Sequence, residues 1–286
     1  MDGPAIVART LSVVGAHVDK YGNRWQYHPQ SDRHSKVACW GVLFDLLQTS
    51  SLLPRHVQSD KVVFGINQTM GDFKTQRPKK LDLVVAQPGG VNRPEGQNVR
   101  TFASLIKTWD ILLDGGEKAR LERLPTVFRG DVGSALIALE AKATMTAHQR
   151  ALPRLYDELH SSHATTHASS DFAAACAFVM VNVASEFIRP PLNKGYLGGR
   201  AAEMSEHNQP RDAQLVIDKV HQMPRRVRPG EDGFDAIGIV VVNCRNDGSP
   251  FRIVTAPPAP GPTDDFNYDQ MIRRLANIYD TRFANI

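Results

Sequence analysis

Residues 173–183 read AAACAFVMVNV, a run almost without polar side chains. The uninterrupted apolar stretch that overlaps it, Phe172 to Val181, is about half of the roughly 20 residues that a membrane-spanning helix requires. The run is β-branched and aromatic in its second half, and it reads as a strand buried inside the molecule. Ile237 to Cys244 is a second buried strand. A chain with such strands must cover them, and the segments around them supply the cover. Val37, Trp40, Leu43, Phe44 and Leu47 recur at helical spacing behind a Ser35 cap, predicting a helix that ends near residues 49–51. Further helical patterns span Arg154 to His160 after Pro153, Asp212 to Met223, and Tyr268 to Phe283.

Shorter strands are predicted at Lys61 to Ile66 and Lys80 to Ala86 (KLDLVVA), and a strong one at Ala135 to Ala141 (ALIALEA). Met70 to Arg77 reads as a turn or loop, and residues 1–34 carry only a weak signal. Residues 87–134 look like an insertion. A helical pattern at Phe102, Leu105, Ile106, Trp109 and Leu112 is ended by Asp114-Gly115-Gly116, and a short charged helix follows to about Leu124. Asn193 to Gln209 is polar and glycine-rich, and Asn246-Asp247-Gly248 marks a hairpin into Phe251 to Thr255. This order predicts an α/β protein, helices flanking a mixed sheet. We expect one domain over residues 1–286, with a core at about 35–185, the insertion at about 87–134 and a C-terminal extension from about 190.

Composition narrows the class. A chain of 286 residues that is 42% hydrophobic and 22% charged is an ordinary globular sequence. Cys39, Cys176 and Cys244 are far apart and set in apolar surroundings, which excludes a disulfide framework and a cysteine-based zinc module. Asp2-Gly3-Pro4 lacks the layout of a signal peptide, so a cytoplasmic location without membrane attachment is expected. The net charge of +4 is mild but uneven: residues 1–150 hold 20 Lys/Arg against 14 Asp/Glu, the rest 14 against 16. A basic half of this size permits a nucleic-acid partner without requiring one.

Chemistry is suggested by charges on two strands. Leu81, Leu83 and Val85 share one face of their strand, which turns Asp82 to the other. Ile137, Leu139 and Ala141 likewise share a face, so Glu140 and Lys142 emerge together opposite them. Carboxylates converging from neighbouring strands are hard oxygen ligands suited to Mg²⁺, and an adjacent lysine can orient water and stabilise charge on a phosphate. The bland alternative is an ion pair on a solvated sheet face.

Asp82 in KLDLVV followed by Glu140-Ala141-Lys142 in ALIALEAKA resembles the PD-(D/E)XK nuclease superfamily, the restriction-endonuclease-like fold. The resemblance covers roughly residues 35–185. Leu81 stands where the family has proline, and the long gap between Asp82 and Glu140 is accounted for if the insertion loops out. The resemblance implies catalytic Asp82, Glu140 and Lys142, with Asp82 and Glu140 as ligands of Mg²⁺ (or Mn²⁺ as substitute) and Lys142 positioning the attacking water. It further implies a Mg²⁺-dependent DNA endonuclease in bacterial restriction or anti-phage defence, acting on DNA as a homodimer, with a partner protein of the defence system as an added possibility. Two alternatives stay open: a non-catalytic nucleic-acid-binding or assembly protein that keeps the fold, and a metal-dependent hydrolase of another substrate.

Other residues are candidates by position. Lys74, Arg77, Lys79 and Lys80 form a basic cluster before Asp82 that could hold phosphates. His148, Gln149, Arg154, Tyr156 and Glu158 would lie along the same cleft, with His148 and Arg154 as DNA contacts. Asp45 on the first helix could add a distant acidic ligand, although surface charge is the simpler reading. Asp60 with Asp72-Phe73-Lys74 is a rival acidic set, less favoured because Asp72 sits in an irregular stretch. His160, His163 and His167 have helical spacing, but Ser161-Ser162 and Thr165-Thr166 make a poor helix interior, so a polar loop is expected there. Arg225, Arg226 and Arg228 are a weaker basic candidate. Gly195, Gly198 and Gly199 lack the ending of a phosphate-binding loop.

Overall fold

A computed structural model describes residues 1–71, 78–90, 100–196 and 201–286. The chain begins with α1 (Gly3–Leu11), α2 (Arg33–Thr49) and α3 (Leu53–Gln58), followed by strands β1 (Val63–Gly71) and β2 (Pro78–Pro88). Next come α4 (Leu105–Thr108), α5 (Gly115–Arg123), β3 (Val132–Thr144), α6 (His148–Ser169) and β4 (Ala174–Asn182). The last third holds β5 (Glu186–Ile188), β6 (Met204–Glu206), α7 (Arg211–His221), β7 (Ala236–Asn243), β8 (Arg252–Val254) and α8 (Tyr268–Arg282).

Six strands form one mixed sheet in the order β1-β2-β3-β4-β7-β8. The first three are antiparallel neighbours, β3, β4 and β7 run parallel, and β8 returns antiparallel. Strand alternation explains the apolar run of β4. Cys176, Phe178 and Met180 join the core under α1, α2 and α8, while Ala175, Ala177, Val179 and Val181 meet α6 and α7 on the opposite face. The α/β architecture, a mixed sheet flanked by helices, is thus the one expected. Among the described residues, no helix is long and apolar enough to cross a membrane. All three cysteines are free and buried.

Several elements differ from expectation. The N-terminal residues form α1, whose Ile6, Val7 and Leu11 are buried in the main core. β1 runs on through Gln68 and Thr69 to Gly71 instead of turning near Met70. The helix predicted around Leu105 is one short turn, and Asp114 starts the next helix instead of ending the last. Its side chain caps Glu117 N–H, and the Glu117 carboxylate accepts the Asp114 N–H in return. α6 is continuous to Ser169, through both Pro153 and the expected polar loop. Ser162 and Thr166 are tolerated there because each hydroxyl donates to the carbonyl four residues back. The segment after residue 190 contributes β7 and β8 to the same sheet.

Candidate active site

The site forms where β2 and β3 part. Their ladder ends at the rung Leu83↔Leu139, and the next residues on the two strands are Asp82 and Glu140. Asp82 Oδ2 accepts the Ala141 N–H at 3.0 Å, a donor that a continued ladder would have used. Face alternation breaks at this point. Leu83 and Val85 join the core under α2, but Leu81 packs with Val84 and Ala86 on the other side. Asp82 therefore does not point away from α2, as a regular strand predicts. It reaches back to that helix, where Lys36 Nζ lies 2.7 Å from Oδ1.

Lys36 is a functional candidate that the sequence reading missed. It is 1% exposed, and its ammonium also donates to the side-chain carbonyl of Asn67. A signal was present: Lys36 falls in step with Trp40, Leu43 and Leu47, so a lysine stands on the buried stripe of an amphipathic helix. Asn67 carried no such signal. It adopts a left-handed φ of +50° inside β1, between rungs Ile66↔Leu83 and Gln68↔Leu81, which puts it opposite Asp82.

Glu140 and Lys142 sit on the same face of β3. Lys142 Nζ lies 2.6 Å from Glu140 Oε1 and 2.7 Å from Glu158 Oε2 of α6, and Glu158 also takes Arg154 Nε at 2.6 Å. Glu140 is 3% exposed, and its Oε2 is buried with no hydrogen-bond partner. Burial pushes the Glu140 carboxyl above its ordinary value; Lys142 opposes this and nearby Asp82 adds to it. Burial acts in the same sense on Asp82, but Lys36 and the Ala141 N–H outweigh it and hold that carboxyl low. Burial lowers the Lys142 ammonium, yet Glu140 and Glu158 more than compensate, so Lys142 stays protonated.

Asp82 and Lys142 open into a cleft of about 560 Å³ also lined by Glu158, Arg150, Arg154 and Arg189, with Tyr27, His34 and Phe187 among its walls, while Glu140 lies buried behind that lining. Burial pushes His34 down to about 4, which leaves it neutral. Among the described residues, no group of three or more His, Cys, Asp or Glu is placed to hold a metal ion. Two carboxylates are nevertheless a donor set that suits Mg²⁺, which keeps several waters and takes one or two carboxylates plus substrate phosphates. The unpartnered Glu140 Oε2 is a buried oxygen that such a cation would satisfy.

The remaining candidates divide. Arg154 lines the cleft; Lys79 donates to the Glu158 carbonyl and to Ser161 Oγ, and Lys80 is exposed on β2. His148 is 2% exposed with Nε2 2.8 Å from the Asn182 carbonyl, so it braces α6 against β4 and is not available to a phosphate. Gln149 donates to Asp212, and Tyr156 lies under Lys219. Asp45 is no metal ligand in waiting: it accepts hydrogen bonds from Asp2 N–H, Gly3 N–H and Tyr268 Oη, each at 2.8 Å. Arg226 is buried against Asp235, and Arg225 and Arg228 pair with Asp265 and Glu231. His163 packs inside the molecule against Phe234, and His167 Nε2 donates to the Gly233 carbonyl. Lys74, Arg77, Asp72, Gly198 and Gly199 lie outside the described residues. Comparison with protein-family models, curated proteins and solved structures finds no match to the chain.

Proposed function

We propose that the protein is a Mg²⁺-dependent endodeoxyribonuclease of the restriction-endonuclease-like fold, serving bacterial restriction or anti-phage defence. The observation that carries this reading is the placement of Asp82 beside the Glu140–Lys142 pair where the β2–β3 ladder ends, with Asp82 and Lys142 lining a cleft that also holds arginines. The order α2, β1, β2, β3, α6 and β4, with α3 before β1 and α4 and α5 between β2 and β3, is compatible with that fold. Asp82 and Glu140 would hold the cation, which when bound neutralises phosphate charge and makes a water more acidic. Lys142, fixed between two carboxylates and protonated, acts as a donor that aims water and steadies the charge growing on the phosphate, not as a base. Arg150, Arg154 and Arg189 supply positive charge along the path of a polyanion.

Supercoiled plasmid incubated with the protein under Mg²⁺, Mn²⁺, Ca²⁺ or EDTA provides the test. Nicking or linearisation in Mg²⁺ and Mn²⁺, lost in folded Glu140→Gln and Lys142→Ala, is the expected result. Cutting that survives both substitutions would remove the site. A second reading, a non-catalytic DNA-binding protein, is favoured by one feature: Lys36 neutralises Asp82 and Lys142 neutralises Glu140 without any metal. It predicts salt-dependent DNA binding and no cleavage under any metal.

A further inference from the structure

Lys36 has no part in the chemistry proposed above, yet the fold goes to some length to keep it. A buried ammonium is costly unless paired. Two oxygens are brought to this one: Asp82 Oδ1 at 2.7 Å and the side-chain carbonyl of Asn67. The second comes from a left-handed residue in the interior of a strand, a conformation that persists only where its surroundings over-determine it. The consequence is a matter of charge. Asp82, Glu140 and Glu158 face Lys36, Lys142 and Arg154, three negative groups against three positive ones, before any divalent cation arrives. Affinity for such a cation follows the charge of its ligand set.

We propose that Lys36 is a positioning residue that serves as a fixed counter-cation for Asp82, holding that carboxylate in place and keeping divalent-metal affinity low until DNA phosphate adds its own negative charge. The inference rests on the metallonuclease reading and specifies how that site is regulated: metal and substrate load together, so the protein without DNA is idle. Glu140 does not need such a device, because its Oε1 already has Lys142 and its Oε2 is the oxygen left open.

The test is titration of Mn²⁺ into the full chain, followed by the loss of the free-ion EPR signal, with and without a phosphorothioate-substituted DNA duplex. In wild type, added duplex should tighten Mn²⁺ binding by about tenfold or more. In Lys36→Gln, which keeps a donor but loses the charge, DNA-free affinity should rise by about tenfold or more. A purely structural lysine would leave that affinity unchanged or weaken it, and either result in a Lys36→Gln protein folded by circular dichroism overturns the proposal. Should that variant not fold, wild type decides alone: tight Mn²⁺ binding without DNA that gains nothing from the duplex also overturns it. Mg²⁺-dependent cleavage alongside a failed Lys36 result removes this inference only. No Mn²⁺ binding in either condition, together with no cleavage, removes the nuclease reading and this inference with it.

Discussion

Asp82 and Glu140 occupy the same gap in the sheet, yet their surroundings drive their proton affinities apart. Asp82 is held low by Lys36, so its pairing supports the fold above the ordinary carboxylate range and is lost as pH falls through its depressed folded value. Glu140 is pushed up by burial, so its charge costs stability at neutral pH and that cost is relieved as pH falls through its raised value. Mutation should separate the two. Asp82→Asn strands a buried ammonium and should cost about 3–5 kcal/mol in chemical denaturation. Glu140→Gln removes a disfavoured charge and should leave the fold as stable or more so, while cleavage drops by about 100-fold or more. A Glu140→Gln protein that unfolds as readily as Asp82→Asn would contradict this assignment of charges.

The insertion is part of the core and not an appendage. Trp40 of α2 stacks between Phe44 and Phe102 at centroid distances of 5.1 and 4.6 Å, and its Nε1 donates to the Phe102 carbonyl. Arg9 of α1 binds Glu117 and the Leu112 carbonyl from the other side. Phe102→Ala should therefore cost about 3–5 kcal/mol by urea denaturation, the usual range for a buried aromatic. Much of this was legible in the sequence and some was not. Strands β3, β4 and β7 and helix α2 declared themselves because apolar spacing decides burial on each face. α1 was missed because it is only nine residues long, with Pro4 in its first turn and Arg9 and Thr10 breaking its apolar run, and the end of β1 because an edge strand needs few apolar side chains. α6 was cut short at its Ser/Thr pairs, where the Ser161, Ser162 and Thr166 hydroxyls donate to backbone carbonyls of the helix itself. Asp82, Glu140 and Lys142 were found as charges out of place on strands. Lys36 and Asn67 escaped because one hid in an apolar stripe and the other in a backbone angle.

Taken as one body, the protein covers its six-stranded sheet on both faces and fastens its far side with ions. Asp235 accepts Arg226 at 2.9 Å and Arg282 of α8 at 2.8 Å, and also the Ala175 N–H at 2.8 Å. Between those layers lies His163, fully buried and pushed down from 6.5 to about 4 by desolvation. Below about pH 6.5 the unfolded chain takes up a proton that folded His163 refuses until about pH 4. Stability should fall across that window, with half-buried His34 adding to the loss. The melting temperature measured from pH 7 to pH 4 should decline, and His163→Phe, which keeps a ring against Phe234, should flatten the decline. An unchanged slope in that variant would show that the proton uptake lies elsewhere.

The outer border of β1 has a further consequence for assembly. Phe64 N–H donates to the Phe128 carbonyl at 3.0 Å, and the Phe64 carbonyl accepts the Gly130 N–H at 3.2 Å. The Phe64 backbone groups, which could template another polypeptide, are thus already spoken for. A second copy trying to lengthen the sheet from Phe64 would first have to peel residues 128–130 away. Around Phe64 the chain is therefore guarded by its own residues 128–130 against runaway strand-to-strand stacking.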